Sequence, residues 1–242
     1  MNEIISLLQN HRSIRKFTNE PVSSEQLDAI LAAAQAASTS SNMQAYSVIH
    51  VTDDGLKNQL AALAGNQAYV SECPLFIVWC ADLHRYAQAV HRHGDTPVTG
   101  NAENFIVATV DAALAAQNAA IAAESLGLGV VYIGGLRNKP AEVSQLLGLP
   151  QLVYPVFGMC IGMPDQEPPQ RPRLPREAVY HENRYTANEG AVDVYDESIR
   201  DYMKVRSGGK VDTTWSKDMA AKAQRPREHM KPFLSSQGFE IE

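Results

Sequence analysis

Between Glu103 and Leu126 the chain sets alanine at positions 112, 113, 115, 116, 119, 120, 122 and 123, and the apolar run stops at Gly127. This spacing predicts one long helix over 103–126, closed by a glycine C-cap. Side chains this small let other backbones approach on more than one side. The helix therefore belongs in the middle of something, either this core or a subunit interface. The apolar region from Phe105 to Val131 is interrupted by Asp111, Gln117, Asn118 and Glu124. Charged and amide groups of that kind are rarely tolerated in a bilayer, so no transmembrane helix is expected.

Helices and short apolar strands alternate around this segment. Ser23-Ser24-Glu25-Gln26 is a Ser-x-x-Gln capping box that starts a helix running to about Ala37, with Leu27, Ile30, Leu31 and Ala34 on one face. The hydroxyl-rich run Ser38-Thr39-Ser40-Ser41-Asn42 ends it, because these side chains compete for backbone hydrogen bonds. Strands are expected at 46–51, 75–81, 130–133 and 156–161, and further helices at 53–64, from Pro140, and at 193–205, 214–224 and 227–237. After Met163 the sequence "PDQEPPQRPRLP" holds five prolines in twelve residues. That favours an extended strap running over the surface. The expected organisation is a core over 1–163, followed by the strap and a helical extension over 164–242 within the same domain.

Several function classes fall away. A chain of 242 residues supports one substantial core. The N-terminus MNEIISLLQN has helical spacing and an acid, not the grammar of a signal peptide, so a cytoplasmic protein is expected. Cys73, Cys80 and Cys160 lie in apolar runs without CxxC spacing and read as reduced core thiols. Net charge is −6, yet the segment Lys204–Lys231 carries eight basic residues against three acids, +5 in all, which leaves −11 elsewhere. One modest basic segment on an acidic protein is a poor match to nucleic acid and a better one to a small phosphorylated ligand. GxxxxGK[ST], GxSxG and HExxH are all missing, as is paired-cysteine zinc spacing. His91-Arg92-His93 reads as scattered surface histidines, so no metal is expected. "GLGVVYIGG" is no dinucleotide fingerprint, since Gly127 and Gly129 precede the strand and read as helix-end glycines.

What remains is a set of anion-binding parts. "HRSIRKF", from His11 to Phe17, packs four basic side chains into seven residues. The hydroxyls of 38–41 follow the second helix, Gly134-Gly135 follows a strand, and Arg171 and Arg173 lie on the proline strap. Guanidinium groups give forked charged donors, and a glycine pair lets backbone N–H groups come close to a ligand. Together they would suit a phosphate monoester carried by a flat heterocycle.

The segments "HRSIRKF", "STSSNMQAYS", "LAGNQAYV", "AAQNAAIAAESLGLGVVYIGGLRN", "PVFGMCIGMP", "RPRLP" and "VYHENRY" occur in an order and spacing that resemble the FMN-dependent nitroreductase superfamily. The match is to its oxygen-insensitive NADPH nitroreductase and flavin reductase group, over essentially the whole chain.

The resemblance implies an α+β, nitroreductase-like fold: a mixed, mainly antiparallel sheet flanked by helices, in an entwined homodimer with FMN at two interface sites. Carried over by position, it places His11, Arg12, Ser13 and Arg15 at the flavin, with Arg12 and Arg173 at the phosphate and Arg15 nearer the ring. Ser38, Thr39, Ser40 and Ser41 would line the ribityl chain and phosphate, and Gln67 the flavin edge. Tyr132, Ile133, Gly134 and Gly135 would cradle one flavin face. Arg171 stands where many relatives have lysine beside the pyrimidine side of the ring. The implied reaction is a ping-pong transfer of two electrons from NADPH to nitroaromatics, quinones, flavins or similar small acceptors. No side chain is implied as nucleophile, and Arg15 and Arg171 would support the negative charge of reduced flavin. Arg206 matches an arginine for the 2′-phosphate of NADPH. A second such arginine falls near Val211, where Lys210 is the neighbouring cation, and one fewer forked cation weakens discrimination against NADH. Arg227 matches a basic residue near the substrate entrance. The alternative from a different class is a flavin-binding electron-delivery protein acting on a protein partner.

Overall fold

The structure, a computed structural model, describes residues 2–241. The chain divides into two compact units, one running to Glu167 and resuming at Glu228, the other spanning Pro168–Arg227.

In the first unit, strands β1 (Tyr46–Val51), β2 (Leu75–Asp82), β3 (Gly129–Ile133) and β4 (Val153–Gly162) form one sheet in the order β1-β2-β4-β3. Every neighbouring pair is antiparallel. The parallel part of the expected mixed sheet is a single bridge between Ser13 and Val130. β2 is central and buried at all its positions, which is why it reads as a continuous apolar run instead of an alternating one.

Strand alternation sorts the core into two layers. Phe76, Val78, Cys80, Val131, Ile133 and Cys160 face one side of the sheet. There they meet α3 (Asp54–Leu63), α4 (Ala68–Glu72) and α7 (Pro140–Leu146). Leu75, Ile77, Trp79, Val130, Met159 and Ile161 face the other side, against α2 (Ser24–Gln35) and α6 (Ala102–Ser125). The helix α1 (Glu3–Gln9) packs on α6, and α5 (His84–His91) follows β2.

The capping box at Ser23 and Gln26 forms in both directions. Asp53 caps α3 by accepting the Leu56 N–H at 2.6 Å. The alanines of α6 at 115, 116, 119, 120 and 123 are buried against α2 and the sheet, so this helix is part of the core. On length and composition alone α6 could cross a membrane; its packing makes it the spine of this unit. Its other side leaves Ile106, Val110 and Leu114 exposed at i, i+4 and i+8, so it carries a second apolar face.

One sequence expectation needs correction. Gly127 is left-handed (φ +79°) at the end of α6, as a C-cap requires. Gly129 is not a cap. It opens β3 beneath the Ile14 side chain, and a Cβ there would sit 2.6 Å from Ile14 Cγ1. His91, Arg92 and His93 are exposed, as expected; the helix α5 over His84–His91 was not legible in the sequence. The short helix α4 was likewise not legible. All three cysteines are free and buried.

The second unit holds α8 (Arg176–Val179), α9 (Glu189–Ser207) and α10 (Trp215–Ala223). Its proline-rich stretch is extended, and Tyr195 donates to the Pro172 carbonyl at 3.0 Å. Asp196 accepts the Ser216 N–H at 2.9 Å, which joins α9 to the start of α10. Gly208 ends α9 in the left-handed region. The chain then returns to the first unit with α11 (Met230–Ser236).

Candidate functional site

The basic segment leaves α1 and locks onto the edge of β3. Ile14 donates its N–H to the Val130 carbonyl at 2.9 Å, beside the Ser13 bridge. His11 Nδ1 lies 2.6 Å from Glu124 Oε1 near the end of α6. Arg12 lines a cleft of about 340 Å³ together with Leu7, Asn10, Ile14, Glu124 and Gly129. Its Nε is buried and has no hydrogen-bond partner among the described residues. A buried guanidinium donor left unpaired is costly and calls for an acceptor from outside the chain. Arg15 is exposed, and its Nη1 donates to the Ser13 carbonyl at 3.4 Å.

The serine loop is anchored further along α6. Ser40 donates its N–H to Asp111 Oδ1 and Ala45 donates to Asp111 Oδ2, both at 3.0 Å. Between them Ser41, Asn42 and Gln44 take φ values of +48°, +58° and +51°. Left-handed backbone costs roughly 1–2 kcal/mol per non-glycine residue, so this loop is held in its shape by the buried carboxylate. Ser38, Ser40 and Ser41 are exposed and Thr39 half-buried. Asp111 and Glu124 are thirteen residues apart on one helix, which separates their two loops by about 20 Å along the axis.

The third part is the turn after β3. Ile133 is buried, and Gly134-Gly135 begin a single 3-10 turn over Gly134–Asn138. A Cβ on Gly135 would meet the Ala64 carbonyl at 2.3 Å and Gln67 Nε2 at 2.5 Å. Glycine is required here so that Gln67 can lie against the turn. Gln67 is fixed from both ends: Nε2 donates to Ala64 O at 2.6 Å, and Oε1 accepts the Tyr69 hydroxyl. Tyr132 meets the Phe157 ring edge-on at 5.1 Å and donates to Gln117 Oε1 at 3.2 Å. Burial, with the Glu124 charge adding, raises its phenol well above the ordinary value, so it stays neutral and a donor. Arg137 Nη1 donates to the Val156 carbonyl, and its Nη2 would lie 3.3 Å from a Cβ on Gly134.

The remaining expected residues belong to the second unit or its boundary. Arg171 and Arg173 are exposed on the extended strap, where Arg173 donates to the Arg171 carbonyl at 3.4 Å. Arg206 and Lys210 are exposed around the C-terminus of α9, and the Val211 N–H is taken by Ser207 Oγ at 2.9 Å. Arg227 is exposed at the boundary between the units.

The first unit thus brings Gln67 and Gly135 into contact, and fixes the His11–Arg15 segment near the C-terminal end of α6 and the serine loop near its middle. Sequence reasoning missed the groups that do the fixing: Asp111, Glu124, Tyr69 and Arg137. A buried acid in an alanine helix needs partners to offset its desolvation, and that was the available signal for Asp111. The donor set fits a phosphate ester on a planar ring. It offers an unpaired buried guanidinium nitrogen, a run of exposed hydroxyls, a fixed amide and a glycine turn free of side-chain bulk.

Comparison with known proteins gives the same direction. Residues 8–163 match the nitroreductase family, and residues 171–242 match the nitroreductase family C-terminal domain. An "FMN reductase (NADPH)" of Bacillus subtilis is 44% identical over 99% of both chains. An "oxygen-insensitive NADPH nitroreductase" of Salmonella typhimurium is 45% identical over 89% of each. The solved structure of an NADPH:FMN oxidoreductase from Vibrio harveyi complexed with NAD+ superposes with a TM-score of 0.89, at 42% identity and 99% coverage of both chains.

Proposed function

The chain belongs to the nitroreductase family, and from that membership we propose that it is an FMN-dependent oxidoreductase. It draws electrons from NADPH and passes them to small planar acceptors such as nitroaromatics, quinones and flavins. The observation that carries the reading in this chain is the buried, unpaired Nε of Arg12, set in a segment beside His11, Ser13 and Arg15. That donor fits a phosphate oxygen of FMN, with Arg173 as a second cation for it.

When bound, FMN would supply the two-electron redox chemistry between NADPH and the acceptor. The protein's residues bind and orient. The hydroxyls of Ser38, Thr39, Ser40 and Ser41 serve the ribityl chain and phosphate. Gln67, held by Tyr69 and Ala64, presents a fixed amide edge to the ring. Tyr132, Ile133, Gly134 and Gly135 form the wall behind one ring face. Arg15 and Arg171 supply positive charge that favours the electron-rich form of the ring. Arg206, aided by Lys210, meets the 2′-phosphate of NADPH, and Arg227 stands at the substrate entrance. No side chain acts as a nucleophile.

We further propose that two copies associate through the exposed α6 face. Ile106, Val110 and Leu114 on α6, and Ile4, Ile5 and Leu8 on α1, are exposed apolar side chains. The separation of about 20 Å between the two α6-anchored loops supports a site completed by both chains. Core 1–163 and extension 164–242 act as one functional domain in this assembly. The unpaired cysteines are in keeping with work in the reducing cytoplasm. The test is FMN titration of the apoprotein with NADPH turnover on menadione: saturable uptake with turnover is expected, and failure to take up FMN would refute the reading.

A further inference from the structure

Asp111 is nearly fully buried in the middle of α6, at 1% exposure. Its two carboxylate oxygens each accept a backbone N–H at 3.0 Å, one from Ser40 and one from Ala45. These partners bracket the left-handed residues Ser41, Asn42 and Gln44. Ala45 is itself buried, and its carbonyl accepts the Asp82 N–H at 2.9 Å. The loop's inner end is thus tied to the sheet, while Asp111 sets where its outer end, with the serine hydroxyls, stands. A neutral amide in its place would offer one acceptor and one donor, and the donor would face a backbone N–H.

We propose that Asp111 is a positioning residue for flavin uptake: its carboxylate bridges two loop amides and so fixes the Ser38–Ser41 hydroxyls in a ligand-ready arrangement. The inference rests on the FMN reading above. Asp111 touches no ligand and acts only through the loop. The strained backbone persists because both amides are held, so releasing one lets the loop relax before any ligand arrives. An ordered loop binds with less entropy to lose, so affinity is where the carboxylate acts.

The test compares wild type with Asp111→Asn in three measurements: FMN dissociation constant by flavin fluorescence quenching, turnover per bound flavin, and amide hydrogen exchange at Ser40 and Ala45 in the apoprotein. The expected result for the variant is at least a tenfold rise in the dissociation constant and at least tenfold faster exchange at those two amides. Turnover per bound flavin should fall by a smaller factor. If Asp111→Asn fails to unfold cooperatively, Asp111→Ser, which leaves one hydroxyl acceptor and sets no amide donor against the loop N–H groups, is read in the same way. Affinity within twofold of wild type would overturn the proposal, as would weakened affinity with unchanged exchange at Ser40 and Ala45. A wild-type protein that takes up no FMN would remove the functional reading and this inference together, whereas normal uptake by both proteins removes only the role of Asp111.

Discussion

His11 Nδ1 and Glu124 Oε1 lie 2.6 Å apart across 113 positions of sequence. An ionised carboxylate can only accept, so Nδ1 carries the proton in this bond and Nε2 is the nitrogen left for a ligand. Replacing Glu124 with alanine frees the imidazole to rotate and to change tautomer. The expected result is a rise of roughly fivefold or more in the FMN dissociation constant, on the scale of one lost charge-assisted hydrogen bond. Fluorescence quenching of added FMN measures it, and an unchanged constant would take His11 out of the flavin site.

Arg12 differs from the other cations of its segment because its Nε is buried without a partner. Arg12→Ala should weaken FMN binding by on the order of 10- to 100-fold, the scale of a charged hydrogen bond lost from a buried site. Arg12→Lys should recover only part of that, since an ammonium keeps the charge but not the forked geometry. Full recovery by lysine would show that charge alone is needed there.

Gly135→Ala tests the turn. The added methyl would fall 2.3 Å from the Ala64 carbonyl and 2.5 Å from Gln67 Nε2, and the first of these is backbone that cannot swing aside. A loss of about 1–3 kcal/mol in unfolding free energy is expected from such overpacking, with weaker flavin binding as Gln67 is displaced. Urea unfolding of the apoprotein gives the first quantity, and an unchanged midpoint would contradict the close approach.

The parts that were legible in the sequence are those whose cause is local. The capping box at Ser23 and Gln26, the strand at 46–51 and the alanine helix each follow from residues within a few positions of one another. The helix α5 was hidden because His84, Arg85, His91 and Arg92 give it a polar surface, and α4 because five residues cannot display a helical period. The candidate site residues stand out in the sequence because glycine pairs, serine runs and arginines are conspicuous. Their anchors were not, because Asp111 reaches partners 66 and 71 positions away and Glu124 one 113 away. An acid in an apolar helix was read only as a bar to membrane insertion. Gly129 shows the same limit: its role is set by Ile14, which joins it only through the Ser13–Val130 bridge.

Alkaline stability follows from two buried acids. Burial, with the Asp82 charge adding, pushes the Cys80 thiol up to about 12, and burial pushes the Tyr154 phenol up to about 12. From about pH 9 for the thiol and pH 10 for the phenol up to about 12, the unfolded chain has released protons that the folded chain still holds. Stability should therefore fall as pH rises through that window. In Tyr154→Phe the decline above pH 10 should be shallower, whatever the variant's stability at neutral pH. Urea midpoints taken at intervals from pH 8 to pH 11 check this, and parallel curves for the two proteins would contradict it.

The most direct measurement is the visible absorption spectrum of the purified protein, reconstituted with FMN and desalted, before and after NADPH is added without oxygen. Flavin bands that travel with the protein, bleach on NADPH and return when menadione is supplied are the predicted result. A protein that emerges colourless after exposure to excess FMN, or one whose bound flavin ignores NADPH, would contradict the account.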